Sequence, residues 1–277
     1  MKNLMSVICS YYPLLFKLEY SWSSNNKLAL VEDIYGNKWV IKIFKDKDKM
    51  FRNLYIQSYL SRNKISPKIL PTKNGNLFIE IDKIFIFVQE FLKPESNILT
   101  LNYHEIKEKT DILYQYLSKI KIINKNVNRN EIYIEDTEFI SYKNSVNILW
   151  DKINIKSYQY KPKSIQLIHG DLRPNNILFH KRNLYFIDFE YIRMGDPKVE
   201  QLKLLLLLLS NKNMYQGINN FGYLFNEEVF IQLALEIKSN NYLARNWQNI
   251  NTNYRNQVIQ EHLFIMKCIT HYLKRIG

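Results

Sequence analysis

Residues 167–193 read LIHGDLRPNNILFHKRNLYFIDFEYIR, and the polar residues of this stretch set the plan of the chain. His169, Asp171, Asn176 and Asp188 follow one another at gaps of two, five and twelve positions. Ahead of them, Ser164–Ile168 has the character of a short strand. Behind them, Ile177–Phe179 and Leu184–Ile187 are two apolar or aromatic runs joined by the polar turn His180, Lys181, Arg182, Asn183, a hairpin signal. A hairpin returns the chain to where it started, so Asp188 can come back beside Asn176. Pro174 suits the loop because it fixes its own φ and has no N–H, and Asn175 and Asn176 tolerate unusual backbone angles. An ordinary turn between two strands would need none of the four polar residues.

That pattern suits phosphoryl transfer. The chemistry needs a carboxylate to accept the proton of an attacking hydroxyl, ligands to hold a divalent cation against the phosphates, and in-line geometry. The spacing of His169, Asp171 and Asn176 is that of the catalytic loop H-x-D-x-x-x-x-N, and Asp188, Phe189, Glu190 stand in the place of the D-F-G element.

The run HGDLRPNNILF followed by YFIDFEYIRMGDP resembles the aminoglycoside phosphotransferase and choline kinase-like superfamily, in which Gly, as at Gly170, often follows the loop His. The run SYLSRNKISPKILPTKNGNLF is similar to spore-coat-associated members of that superfamily. The resemblance implies an α+β, two-lobed protein-kinase-like fold, with a small antiparallel-sheet lobe over residues 1–92 and a mainly helical lobe over 93–277. It implies ATP and Mg2+ as cofactors, Asp171 with His169 as the catalytic residues, Asp171 being the base, and Asn176 and Asp188 as magnesium ligands. Gly195, Asp196, Pro197 resembles the family's G-D-P element, with Asp196 and Glu200 as supports for the loop.

Outward from this stretch, the smaller lobe can be sketched. LALVEDIY and KWVIKIF, separated by Gly36 and Asn37, read as a hairpin. Lys42 lies in the second run between Ile41 and Ile43, where a buried ammonium needs an anion, and Val40, Ile41, Lys42 resembles the V-A-I-K element that holds phosphates. Strand alternation pointing Lys42 to solvent is the bland alternative. The phosphate loop is expected at Ser21–Asn26, with Ser23, Ser24 and Asn25 as candidate contacts, although no glycine is present. Lys47–Asn63 has a helix period through Phe51, Leu54, Tyr55, Tyr59 and Leu60. No Glu occurs between Glu32 and Glu80 to pair with Lys42, and Gln57 stands near the expected place without charge. Leu77–Ile81 and Ile84–Phe91 form a second hairpin, and Gln89 to Leu92 resembles the hinge that would pair with adenine through its backbone, with Gln89, Glu90 and Phe91 as candidate contacts.

Helices are expected over Tyr103 to about Ile123, over Phe139–Ile155 and around Gln257–Leu273, and Leu204–Leu209 as a buried helix too short to span a membrane. At 277 residues with 46% apolar and 23% charged residues the chain is globular in character. Cys9 and Cys268, far apart, make no disulfide framework and suit a reducing cytoplasm. The formal charge of +13 is scattered rather than striped, so neither nucleic acid nor membrane is an expected partner; a nucleotide and a small-molecule hydroxyl acceptor are. The reading is thus ATP-dependent transfer of phosphate to a small-molecule hydroxyl. A pseudokinase with a structural or assembly role is the alternative, raised by the missing Gly loop and the missing helix Glu.

Overall fold

The computed structural model describes residues 2–14, 16–22, 28–94, 103–120, 137–153, 165–211, 221–239 and 252–276. The chain forms two compact units, residues 1–101 with 169–193, and residues 102–168 with 194–277. The loop and hairpin that carry the polar motif therefore group with the sheet-bearing N-terminal residues.

The first unit is built on an antiparallel sheet. Its strands are β1 (Phe16–Trp22), β2 (Leu28–Asp33), β3 (Lys38–Phe44), β4 (Ile69–Leu70), β5 (Ile79–Ile81) and β6 (Ile84–Glu90). The order is β1-β2-β3-β6-β4, with β5 also on β6. Alternation along these strands gives each face its own apolar set. On one face, Ala29, Val31, Ile41, Ile86 and Val88 bury against Met5 and Ile8 of helix α1 (Lys2–Tyr11) and against Tyr12 just after it. On the other, Phe44, Phe85 and Phe87 bury against Met50 and Leu54 of helix α2 (Lys47–Ser61). Asp46 starts α2 by accepting the Lys49 N–H at 3.0 Å, an N-cap. The helix lies where the period placed it, but turned: Phe51 and Tyr55 are 40% and 62% exposed, while Asn53, Ile56 and Gln57 are buried. Burial of two amides on this face is a departure that sequence periodicity does not reveal.

The β2–β3 turn is held by one carboxylate. Asp33 accepts from the N–H groups of Tyr35 and Asn37 at 2.9 and 2.8 Å, and from Asn37 Nδ2 and Trp39 Nε1 at 3.0 Å each. Burial opposes its charge, but these donors outweigh that and hold its pKa below the ordinary value.

Strands β8 (Ile177–His180) and β9 (Asn183–Phe186) form the hairpin expected after the loop, with His180 opposite Asn183. The turn is only Lys181–Arg182, with φ of 48° and 62°. Positive φ at both positions is the type I′ turn, a cost of about 1–2 kcal/mol per L-residue that Asn-Gly largely avoids. Replacing Lys181–Arg182 by Asn-Gly is therefore expected to stabilise the fold by roughly 1 kcal/mol, read as a raised urea midpoint with unchanged slope. An unchanged or lowered midpoint would contradict the backbone assignment.

The second unit is helical: α3 (Tyr103–Leu117), α4 (Thr137–Asp151), α5 (Pro197–Asn211), α6 (Glu227–Lys238) and α7 (Thr252–Ile276), with strand β7 (Gln166–Ile168) against α3 and α5. Leu204–Leu209 are all buried, as a helix apolar on every side requires. Among the described residues no helix is long and apolar enough to cross a membrane. Together the sheet and the helices make the expected α+β class.

Candidate active site

The segment 169–193 is locked into the first unit by its backbone. Phe186 N–H donates to the Ile65 carbonyl at 2.9 Å, and Ser66 Oγ–H to the Phe186 carbonyl at 2.8 Å. Between β7 and β8 the chain turns through a short 3-10 element, Pro174–Asn176, with Arg173 extended before it and Pro174 at its first position. Ile187 N–H donates to the Asn176 carbonyl at 3.0 Å, which continues the β8–β9 register and brings residue 188 beside residue 176.

Three residues mark this geometry. Gly170 has φ of +84°, and a Cβ there would lie 1.8 Å from the Tyr191 carbonyl oxygen. His169 is fully buried, its Nε2 is 2.8 Å from the Ile187 carbonyl, and its ring packs on Phe189 at 4.7 Å between centroids. A carbonyl can only accept, so Nε2 carries the proton of that bond. Asp188 itself sits in the left-handed region, φ 64° and ψ 60°, an uncommon conformation that marks a position set by its surroundings.

Asp171, Asn176, Asp188 and Lys42 come together in this frame. Asn176 Nδ2 donates to the Asp171 carbonyl at 2.8 Å and reaches Asp171 Oδ2 at 3.3 Å, while Arg173 Nε lies 3.8 Å from Asp171 Oδ1. The side chain of Lys42 is buried on β3 opposite Phe87, and its Nζ makes an ion pair with Asp188 Oδ1. The solvent-facing alternative for Lys42 is thereby overturned. Burial works against the charge of Asp188, but the Lys42 ammonium, by charge and hydrogen bond, and His169 more weakly, hold its carboxyl below the ordinary pKa. The Asp188 side chain still keeps 40% exposure.

The donor set fits magnesium. Asn176 spends its amide nitrogen on Asp171, so its Oδ1 accepts nothing among the described residues; nor does Asp188 Oδ2. One amide oxygen and one carboxylate, with no cluster of three His, Cys, Asp or Glu among the described residues, suit an ion that keeps water and phosphate oxygens in its shell.

The other expected site residues are placed as follows. Gln89 is buried in β6, and its Oε1 accepts from Gln57 Nε2 at 2.8 Å. Gln57 thus does not engage Lys42. The N–H groups of Glu90 and Phe91 donate to the carbonyls of Lys68 and Lys38 at 2.9 and 3.0 Å, so both are already spent. The next N–H, that of buried Leu92 at the end of the expected hinge, has no partner among the described residues; side chains could not single it out because a backbone group has no letter. Ser23, Ser24 and Asn25 lie outside the described residues. In the second unit, Glu200 accepts from Tyr114 OH at 2.8 Å and Asp196 Oδ1 from the Lys198 N–H at 2.8 Å, the supporting bonds of a helix start.

Residues 148–210 match the model of the phosphotransferase enzyme family. No curated protein sequence matches the chain. Among solved structures, a spectinomycin phosphotransferase in complex with ADP and spectinomycin is similar at 13% identity and a TM-score of 0.65 over 97% of each chain. An aminoglycoside phosphotransferase from Alicyclobacillus acidocaldarius subsp. acidocaldarius DSM 446 is similar at 12% identity and a TM-score of 0.59, over 98% of this chain and 95% of that one. An amicoumacin kinase in complex with AMP-PNP, Ca2+ and Ami is similar at 13% identity and a TM-score of 0.56, over 96% and 93%. The fold is therefore the protein-kinase-like fold of the aminoglycoside phosphotransferases. The resemblance to aminoglycoside phosphotransferases read from residues 169–197 is borne out by the family model, whose match spans that stretch, and by the fold.

Proposed function

We propose that this protein transfers the γ-phosphate of ATP to a hydroxyl of a small molecule. The observation that carries the reading is the chain of contacts from Lys42 to Asp188, back through the β8–β9 register to Asn176, and on to Asp171. Asp171 accepts the proton of the attacking hydroxyl, held in place by the Asn176 amide at its Oδ2 and backbone carbonyl. Asn176 Oδ1 and Asp188 would hold magnesium, whose charge would offset that of the phosphates. Lys42 steadies the phosphates, and His169 acts as a positioning residue, fixing the backbone ahead of Asp188 through the Ile187 carbonyl. The Leu92 N–H, beyond Gln89, Glu90 and Phe91, is the donor offered to the ring nitrogen of adenine, and Ser23, Ser24 and Asn25 remain the phosphate-loop candidates. A reducing cytoplasm suits the two free cysteines.

The pseudokinase reading is favoured by one observation, that Lys42 spends its charge on the same Asp188 the metal would need. Thermal unfolding with and without magnesium and ATP separates the two for wild type and Asp188→Ala. Nucleotide at about a hundred times Kd adds roughly 2.7 kcal/mol of stability. We expect a magnesium-dependent rise in wild type that is absent in the variant. No rise in wild type at millimolar nucleotide would favour the pseudokinase.

A further inference from the structure

One buried polar group on α2 has no job in the site as described. Phe85, Phe87 and Gln89 alternate onto one face of β6, opposite Phe44, Lys42 and Val40 of β3. Helix α2 lies along that face, with Met50 and Leu54 against Phe44, Phe85 and Phe87, and Gln57 bonded to Gln89. Asn53 stands one helical turn before Gln57, between the Gln57–Gln89 bond and the Met50 end of the helix, the stretch over which Phe87 pairs with Lys42. Its side chain is fully buried, and neither Oδ1 nor Nδ2 has a partner among the described residues. An amide left so costs free energy in proportion to the bonds it lacks. Lys42 has the complementary deficit: three ammonium donors and one polar partner among the described residues, Asp188.

We propose that Asn53 is a positioning residue whose Oδ1 takes the Lys42 ammonium when Asp188 is engaged by magnesium and nucleotide. The second half of this statement rests on the proposed function; the pairing of residues 42 and 53 does not. A neutral amide holds the ammonium through hydrogen bonding alone, so Lys42 stays available to a phosphate oxygen and returns to Asp188 when the nucleotide leaves. The helix thereby supplies a partner for Lys42 without the carboxylate that its sequence lacks.

The test uses Asn53→Asp and Asn53→Leu, each with Lys42 and with Lys42→Met, by thermal unfolding and by calorimetric titration with Mg·ATP. If residue 53 reaches Lys42, the carboxylate of Asn53→Asp is compensated, and the melting temperature stays within a few degrees of wild type. Adding Lys42→Met then strands a buried charge and lowers it by about 6 °C or more beyond the sum of the single changes. Asn53→Leu removes the unpartnered amide and should fold as well as wild type, but raise the Mg·ATP dissociation constant about tenfold, with Asn53→Asp restoring it. Additive melting shifts, or an Asn53→Asp protein as destabilised with Lys42 as with Met, would overturn the pairing. An unchanged dissociation constant for Asn53→Leu would overturn the hand-over. Should wild type bind no Mg·ATP, the proposed function fails, and the thermal cycle alone decides the pairing.

Discussion

Asp171→Asn is expected to slow phosphate transfer by about a hundredfold to ten-thousandfold, the usual contribution of a positioned general base. The substitution keeps the shape of the side chain while removing its charge and basicity. Asn176 Nδ2 can still donate to the backbone carbonyl of residue 171, so the loop should hold its form. Asp171 takes no part in the Lys42–Asp188 pair, so stabilisation by Mg·ATP should survive in the variant. The measurement is ADP release against a panel of small hydroxyl compounds, with release to water as the baseline. A variant that turns over like wild type would remove Asp171 from the mechanism. One that also lost the nucleotide-dependent stabilisation would show that residue 171 holds the loop together instead. The contrast with Asp188→Ala, which should lose both readouts, separates proton acceptance from metal holding.

Gly170→Ala is expected to be the most damaging single-methyl change in the chain. The added Cβ would lie 1.8 Å from the Tyr191 oxygen and 2.6 Å from its carbonyl carbon, both backbone atoms that cannot rotate away. The φ of +84° adds the ordinary penalty of an L-side chain in the left-handed region. Together these place the loss at about 3–5 kcal/mol. For a chain of this size that lowers the melting temperature by roughly 10 °C. Equilibrium urea unfolding checks it, with Gly36→Ala as the comparison: Gly36 also has positive φ, yet nothing lies within 4 Å of its Cβ position, so only the backbone penalty applies. Equal losses at the two sites would mean that the close approach to Tyr191 contributes nothing.

The site was legible where function constrains residue type at fixed spacing. That Asp171, Asn176 and Asp188 gather in one place could be read because the proposed base and two ligands on a loop and hairpin need those letters at those gaps, and the pairing of Lys42 because an ammonium in an apolar strand has to meet an anion. Its partner could not be read. The rule that a helix carboxylate receives this lysine gave no candidate, and only the fold shows Asp188 in that place. The stripe on α2 was misjudged by including Phe51 and Tyr55, since aromatic letters suggested burial while the amides Asn53 and Gln57 suggested solvent. Met50, Asn53, Leu54, Gln57 and Leu60 do keep a three-four period, so position carried the signal that chemistry concealed. At the hinge, side chains could not say which N–H groups would already be spent, and those of Glu90 and Phe91 go to the Lys68 and Lys38 carbonyls.

The first unit is assembled from two stretches of chain, residues 1–101 and 169–193, and this bears on how the protein is made. The ribosome releases the sheet long before the segment that bonds Ile65 and Ser66 through Phe186. At 5–20 residues per second, the roughly 120 positions between Ile65 and Phe186 correspond to about 6–24 s of synthesis. Throughout that interval Lys42 is without Asp188, and the Ile65 and Ser66 backbone is without its cross-link. The nascent sheet must be held by the contacts of α1 and α2 alone, which makes the two apolar faces described above the determinants of whether the emerging chain survives until its loop arrives.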